Sequence, residues 1–146
     1  MRKNKKRNHQ KHPVPNHKYK DRLFRLVFNN KKDLLDLYNA LNNTCYENPN
    51  DLEVNTLEDA VYLSMKNDIS FLIGGTLNLY EHQSTYNPNM PLRGLIYLAR
   101  LYDGYVETKN INLYSSSLKK LPIPQYFVFY NGTKEQPDET ILQLMD

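Results

Sequence analysis

The sequence predicts an α/β domain in which a mixed sheet is flanked by helices, in the order helix, strand, hairpin, helix, strand. Three observations lead there. Apolar residues from Leu23 to Leu41 recur at spacings of three and four, the period of a helix with one buried stripe. Between Asp68 and Gln83, two β-rich runs are joined by Gly74-Gly75, and both positions of a two-residue hairpin turn need the positive φ that glycine accepts without strain. A second helical run opens at Pro91 and is followed by the apolar and aromatic stretch Gln125 to Tyr130, which reads as a buried central strand.

The chain has 146 residues, 40% of them hydrophobic, enough for one core of ordinary size. Residues 1–18 read as a basic, disordered tail closed by Pro13 and Pro15, and residues 19–146 as the folded domain. The net charge of +3 conceals an asymmetry: residues 1–20 carry eight of the 19 Lys and Arg and no acid, leaving 11 positive against 16 negative charges in the body. An acidic body argues against a passive DNA clamp, whereas the tail can neutralise phosphates or simply stay solvated. His9, His12 and His17 fit no compact metal site and read as exposed. The N-terminus is too polar for a secretory signal. Even the most apolar helical segment, Leu92 to Leu101, is interrupted by Arg93 and Arg100, so no membrane span is expected. The single Cys45 has no partner cysteine, which suits a reducing cytoplasm, and it reads as a buried or half-buried thiol.

Taken in order, the first helical run shows a break near Asn29-Asn30, with Asn30 as the cap of a second helix. A loop rich in asparagine runs from Asn42 to Asn50. Leu52 to Leu57 alternates apolar and polar residues like a half-buried strand, and residues 58–65 suit either a short helix or an extended run. In the hairpin, Ile69, Phe71 and Ile73 share one face, and Leu72, Leu77 and Leu79 the other. The apolar face expected for the later helix is Leu92, Leu95, Ile96, Ala99 and Leu101 to Tyr105. Residues 139–145 begin an apolar periodicity that stops at once, as though the domain were cut short.

The chemistry lies on the hairpin. Counting outward from Gly74-Gly75, Ile73 faces Thr76, Leu72 faces Leu77, Ser70 faces Leu79 and Asp68 faces Glu81. Opposed carboxylates repel unless something fills the gap between them, and a hard divalent cation such as Mg²⁺, which takes oxygen ligands from one or two carboxylates, is the natural occupant. The plainer alternative is a hairpin end that carries solvated charges. Gln83 falls on the face of Glu81, opposite Lys66, while His82 points to the other face and reads as a packing or hydrogen-bonding residue. Ser84-Thr85-Tyr86 continues to the mouth of such a site. Arg93 and Arg100, seven residues apart on the following helix, are candidates for phosphate contacts or for a solvated edge. Tyr80, Tyr86, Tyr97, Tyr102 and Tyr105 suit either base stacking or the core and its rim.

Asp68, the turn and Glu81-His82-Gln83, preceded by a helix and a strand and followed by a helix and an apolar strand, resemble the PD-(D/E)XK nuclease superfamily. The likeness is nearest to its Rpn branch, the transposase-like recombination-promoting nucleases. Four segments carry it: Asp21 to Phe28, Lys66 to Phe71, Leu79 to Ser84 and Phe127 to Gly132. The resemblance implies a restriction-endonuclease-like mixed β-sheet and a nuclease domain lacking its C-terminal part. It further implies Mg²⁺-dependent, or Mn²⁺-dependent, cleavage of DNA in recombination or mobile-element biology. Asp68 and Glu81 would bind the metal with the backbone carbonyl of His82, and Gln83 would help to orient the attacking water. Gln83 stands where the superfamily carries a lysine, whose positive charge Lys66 is near enough to supply. Asp21 would complete the site from the first helix, although a helix N-cap is an equally good role for it. Two alternatives remain: a nucleic-acid-binding module of the same fold without catalysis, and a protein-interaction fragment. The sequence leaves a homodimer open.

Overall fold

The computed structural model describes residues 17–54 and 68–145, and for residues 17–21 and Arg25 it describes the backbone alone. The basic tail up to residue 16, Lys66 and the ambiguous run 58–65 lie outside the described residues.

Helix α1 (His17–Asn29) and helix α2 (Lys31–Asn42) divide at the expected break. The Asn30 side chain accepts hydrogen bonds from the Lys32 and Asp33 N–H groups, at 3.0 and 3.3 Å, satisfying two of the donors that every helix start leaves without a partner. Asn43, in the left-handed region at φ 52°, ends α2. A 3₁₀ turn (Pro49–Asp51) leads into β1 (Glu53–Val54), and the rest of the strand expected from Leu52 to Leu57 lies outside the described residues. β2 (Asp68–Ile73) and β3 (Thr76–Gln83) form the hairpin, with Gly74 and Gly75 at φ 55° and 80°. Its register runs as counted, from Ile73 opposite Thr76 to Asp68 opposite Glu81. Helix α3 (Met90–Thr108) follows, with Pro91 in its first turn. β4 (Ile123–Tyr130) closes the sheet.

The sheet order is β1-β2-β3-β4, antiparallel between the first three strands and parallel between β3 and β4. It is a mixed sheet with helices on both faces. On one face, Phe28, Leu34, Leu35 and Tyr38 pack with Phe71, Ile73 and Tyr80, joined by Phe127 and Phe129 of β4. Tyr80 stands at the centre of this cluster, with its ring 5.0 Å from Phe71, 5.4 Å from Phe127 and 5.5 Å from Phe129. On the other face, Leu101, Tyr97, Leu98 and Tyr102 of α3 cover Leu72, Leu77, Leu79 and Tyr126. Burial of this apolar surface, at about 25 cal/mol per Å², supplies the main drive to fold.

Three expectations are corrected. Among the described residues β4 is an edge strand and half-buried, not central. Its residues are apolar on both faces because helices cover both faces of the sheet, and that pattern carries no information about a strand's rank in the ladder. On α3, Leu92, Leu95 and Ile96 are about half exposed, at 51, 52 and 45%. Leu101 and Tyr102 meet the sheet as expected, but they are joined there by Gly94, Tyr97 and Leu98 in place of Leu92, Leu95 and Ile96. Cys45 is exposed. Its neighbours Thr44 and Tyr46 are both tied to the Asn39 side chain on α2, at 2.9 and 3.0 Å, and extended alternation turns the residue between them outward. Tyr80, which suited either base stacking or the core, belongs to the core and is completely buried. The apolar run at 139–145 forms neither helix nor strand, and Ile141, Leu144 and Met145 lie exposed. Among the described residues, no helix is long and apolar enough to cross a membrane.

Candidate metal centre

The open end of the hairpin carries the chemistry. Ile73 and Thr76 flank a two-residue turn and so exchange both backbone hydrogen bonds, and alternation from there makes Asp68 and Glu81 a non-hydrogen-bonded pair. Such pairs hold their Cα atoms nearer together, at about 4.5 Å, than hydrogen-bonded ones. The same alternation turns the Gln83 carbonyl toward β4, where it accepts from the Asn131 N–H at 3.0 Å. The His82 carbonyl therefore points to the opposite side, toward β2 and Asp68.

Glu81 is 3% exposed, and three donors meet its carboxylate. Arg93 Nη2 of α3 lies 2.8 Å from Oε1. Gln83 Nε2 donates to the same oxygen at 2.6 Å, and Tyr126 Oη of β4 donates to Oε2 at 2.5 Å. The guanidinium also donates to Tyr97 Oη at 3.2 Å, one helical turn further along α3. Burial pushes the Tyr126 phenol up from its ordinary value, and its bond to Glu81 and the carboxylate's charge raise it further, so it remains a donor.

Asp68 is in the contrasting position. Among the described residues, no hydrogen bond or ion pair closes on its carboxylate. Burial, and then the negative charge of Glu81, push it up from 3.8 to about 7, with Arg93 pulling the other way. Among the described residues, the strand pair thus holds one carboxylate met by three donors and one met by none.

These two side chains open onto a cleft of about 390 Å³, lined by Asp68, Glu81, His82, Gln83, Ser84, Thr85, Tyr86, Asn87 and Arg93. Glu81 and Gln83 face it from β3, and Arg93 closes it from α3. The His82 ring turns to the other side of the sheet and stacks on Phe24 at 4.1 Å. Asp21 falls on α1, and its side chain is not described. Lys66 lies outside the described residues. Arg100 is exposed and does not line the cleft, so α3 brings only one of its two arginines to the site.

Among the described residues, no three His, Cys, Asp or Glu side chains converge as a metal-binding group. The donors present are nevertheless those of a hard cation: both Asp68 oxygens, the acceptor position left on Glu81 Oε2 and the His82 carbonyl. All are oxygens, and Mg²⁺ is held by one or two carboxylates with water and phosphate oxygens filling its octahedron. The set fits Mg²⁺ or Mn²⁺ and lacks the sulfur and imidazole nitrogen that Zn²⁺ favours.

Sequence reasoning missed Tyr126. Its ring lies against Gly94 of α3, where an added Cβ would overlap ring atoms Cδ1 and Cε1. A glycine inside a helix costs roughly 1 kcal/mol relative to alanine and calls for a packing reason. Gly94 was thus the signal available in the sequence. Compared with protein-family models, curated proteins and solved structures, the chain matches none.

Proposed function

We propose that this chain is a Mg²⁺-dependent DNA endonuclease of the PD-(D/E)XK type, with a restriction-endonuclease-like sheet and nearest in kind to the Rpn recombination-promoting nucleases. The observation that carries the reading is the Asp68–Glu81 pair lining a polar cleft, with no ion pair or hydrogen bond closing on the Asp68 carboxylate among the described residues. A half-buried carboxylate beside a second one is costly, and a divalent cation relieves the cost.

Asp68, Glu81 and the His82 carbonyl would hold Mg²⁺, or Mn²⁺ in its place. When bound, the cation promotes the attack of water on a phosphodiester and neutralises charge building on the phosphoryl oxygens. Asp68 must give up its proton to become a ligand, so metal affinity rises with pH through about 7. Arg93, whose side chain is 38% exposed at the edge of the cleft, offers a charged donor to a phosphate of the DNA backbone. Ser84, Thr85 and Asn87 line the path that the strand would follow, and the half-exposed Tyr86 ring offers a surface for a base.

The test is plasmid cleavage by the full chain with Mg²⁺ or Mn²⁺, beside Asp68→Ala and Glu81→Ala variants. Metal-dependent nicking lost in both variants is expected. Equal nicking by all three proteins, or none by the wild type, defeats the nuclease reading. One observation favours a second reading, a DNA-binding module without catalysis: Arg93 already neutralises Glu81. That module would shift DNA equally in EDTA and in Mg²⁺ and cleave none of it.

A further inference from the structure

Glu81 has about four acceptor positions on its two oxygens, and the fold has already assigned three of them. Gln83 and Arg93 both meet Oε1, while among the described residues Tyr126 is the donor that meets Oε2. The three donors come from three different elements, β3, α3 and β4, so the carboxylate's orientation depends on the tertiary assembly around it. A hydrogen bond to the charged oxygen holds that orientation as well as the charge. Tyr126 can take part because β4 runs parallel to β3. It sits beside Leu79 in register, and its long side chain reaches along the shared strand direction to the residue two positions on, on the same face. It also needs the gap at Gly94, which lets the ring lie directly on the α3 backbone.

We infer that Tyr126, seated by Gly94, is a positioning residue that fixes Glu81 as a one-oxygen metal ligand through Oε2, with Gln83 and Arg93 holding Oε1 out of the coordination sphere. This inference rests on the metal-binding reading above and goes beyond it. It changes the role of Gln83: a side chain whose amide is spent on Glu81 Oε1 at 2.6 Å orients the carboxylate, not the attacking water. It also assigns a task to Gly94, which the sequence pattern otherwise leaves as a weak point in the helix.

The experiment measures Mn²⁺ binding to the full chain by titration calorimetry and by the loss of free-ion paramagnetic resonance. The proteins compared are the wild type, Tyr126→Phe, Gly94→Ala and the double variant. Partners of metal ligands are typically worth 10- to 100-fold in affinity, so Tyr126→Phe should weaken Mn²⁺ binding by about that factor. The phenylalanine keeps the ring and its packing, so its thermal unfolding should stay close to that of wild type, and this separates positioning from folding. Gly94→Ala should weaken binding comparably by displacing the ring. The double variant should bind no more weakly than the weaker single, because both changes remove one contact. Wild-type affinity in Tyr126→Phe overturns the inference and leaves the nuclease reading intact, as does full additivity in the double variant. Failure of the wild-type chain to bind Mn²⁺ overturns both.

Discussion

Replacing Asp68 with asparagine should make the metal-free protein more stable, and only above a particular pH. The carboxyl is held up from 3.8 to about 7 by burial and by Glu81. Between those values the unfolded chain has released its proton and the folded chain has kept it, so stability falls as pH rises. Below about 3.8 both states are protonated and the effect vanishes. Above about 7 the full cost is present. At about 1.4 kcal/mol per pH unit the interval corresponds to about 4 kcal/mol. Asp68 is only half-buried, and water screening reduces that to roughly 2–4 kcal/mol. The asparagine side chain has nearly the same shape and no charge, so the variant escapes the penalty. In urea unfolding of the full chain with EDTA, Asp68→Asn should exceed wild type by about 2–4 kcal/mol at pH 8, and by less than about 1 kcal/mol near pH 4. No gain at pH 8, or the same gain at both pH values, would refute the claim that the Asp68 charge is uncompensated.

Two further substitutions probe the frame that holds the site. Gly74→Ala drives a Cβ into Tyr46 Oη at a backbone φ of 55°, and the left-handed conformation alone costs about 1–2 kcal/mol for a residue with a side chain. A loss of at least that size in urea unfolding is expected, and Gly75→Ala, with open space around it at φ 80°, should lose less; the reverse order would contradict the hairpin geometry. Asn30→Ala removes the acceptor for the Lys32 and Asp33 N–H groups and should cost about 1 kcal/mol of stability, whereas Asn30→Asp should recover most of it.

The sequence alone determined everything that depends on local spacing. Gly74-Gly75 fixed the hairpin register, because a two-residue turn leaves only one way to pair the flanking strands. That register set Asp68 opposite Glu81 and turned His82 away toward Phe24. Asn30 and Pro91 announced helix starts through backbone chemistry that acts within a turn. What only the tertiary structure decided involves surfaces far apart in the chain. On the N-terminal half of α3 two sets of residues have helical spacing, and only docking on Leu77 and Leu79 selects Gly94, Tyr97 and Leu98 over Leu92, Leu95 and Ile96. Among the described residues, the place of β4 at the sheet edge follows from its pairing with β3, which its apolar composition could not reveal. Tyr126 meets Glu81 across 45 residues, and Arg93 reaches the same carboxylate from α3. Periodicity thus placed the two carboxylates together, but the contrast between them among the described residues, three donors on Glu81 and none on Asp68, arises from donors delivered by other elements and from burial that only the assembled sheet and helices create.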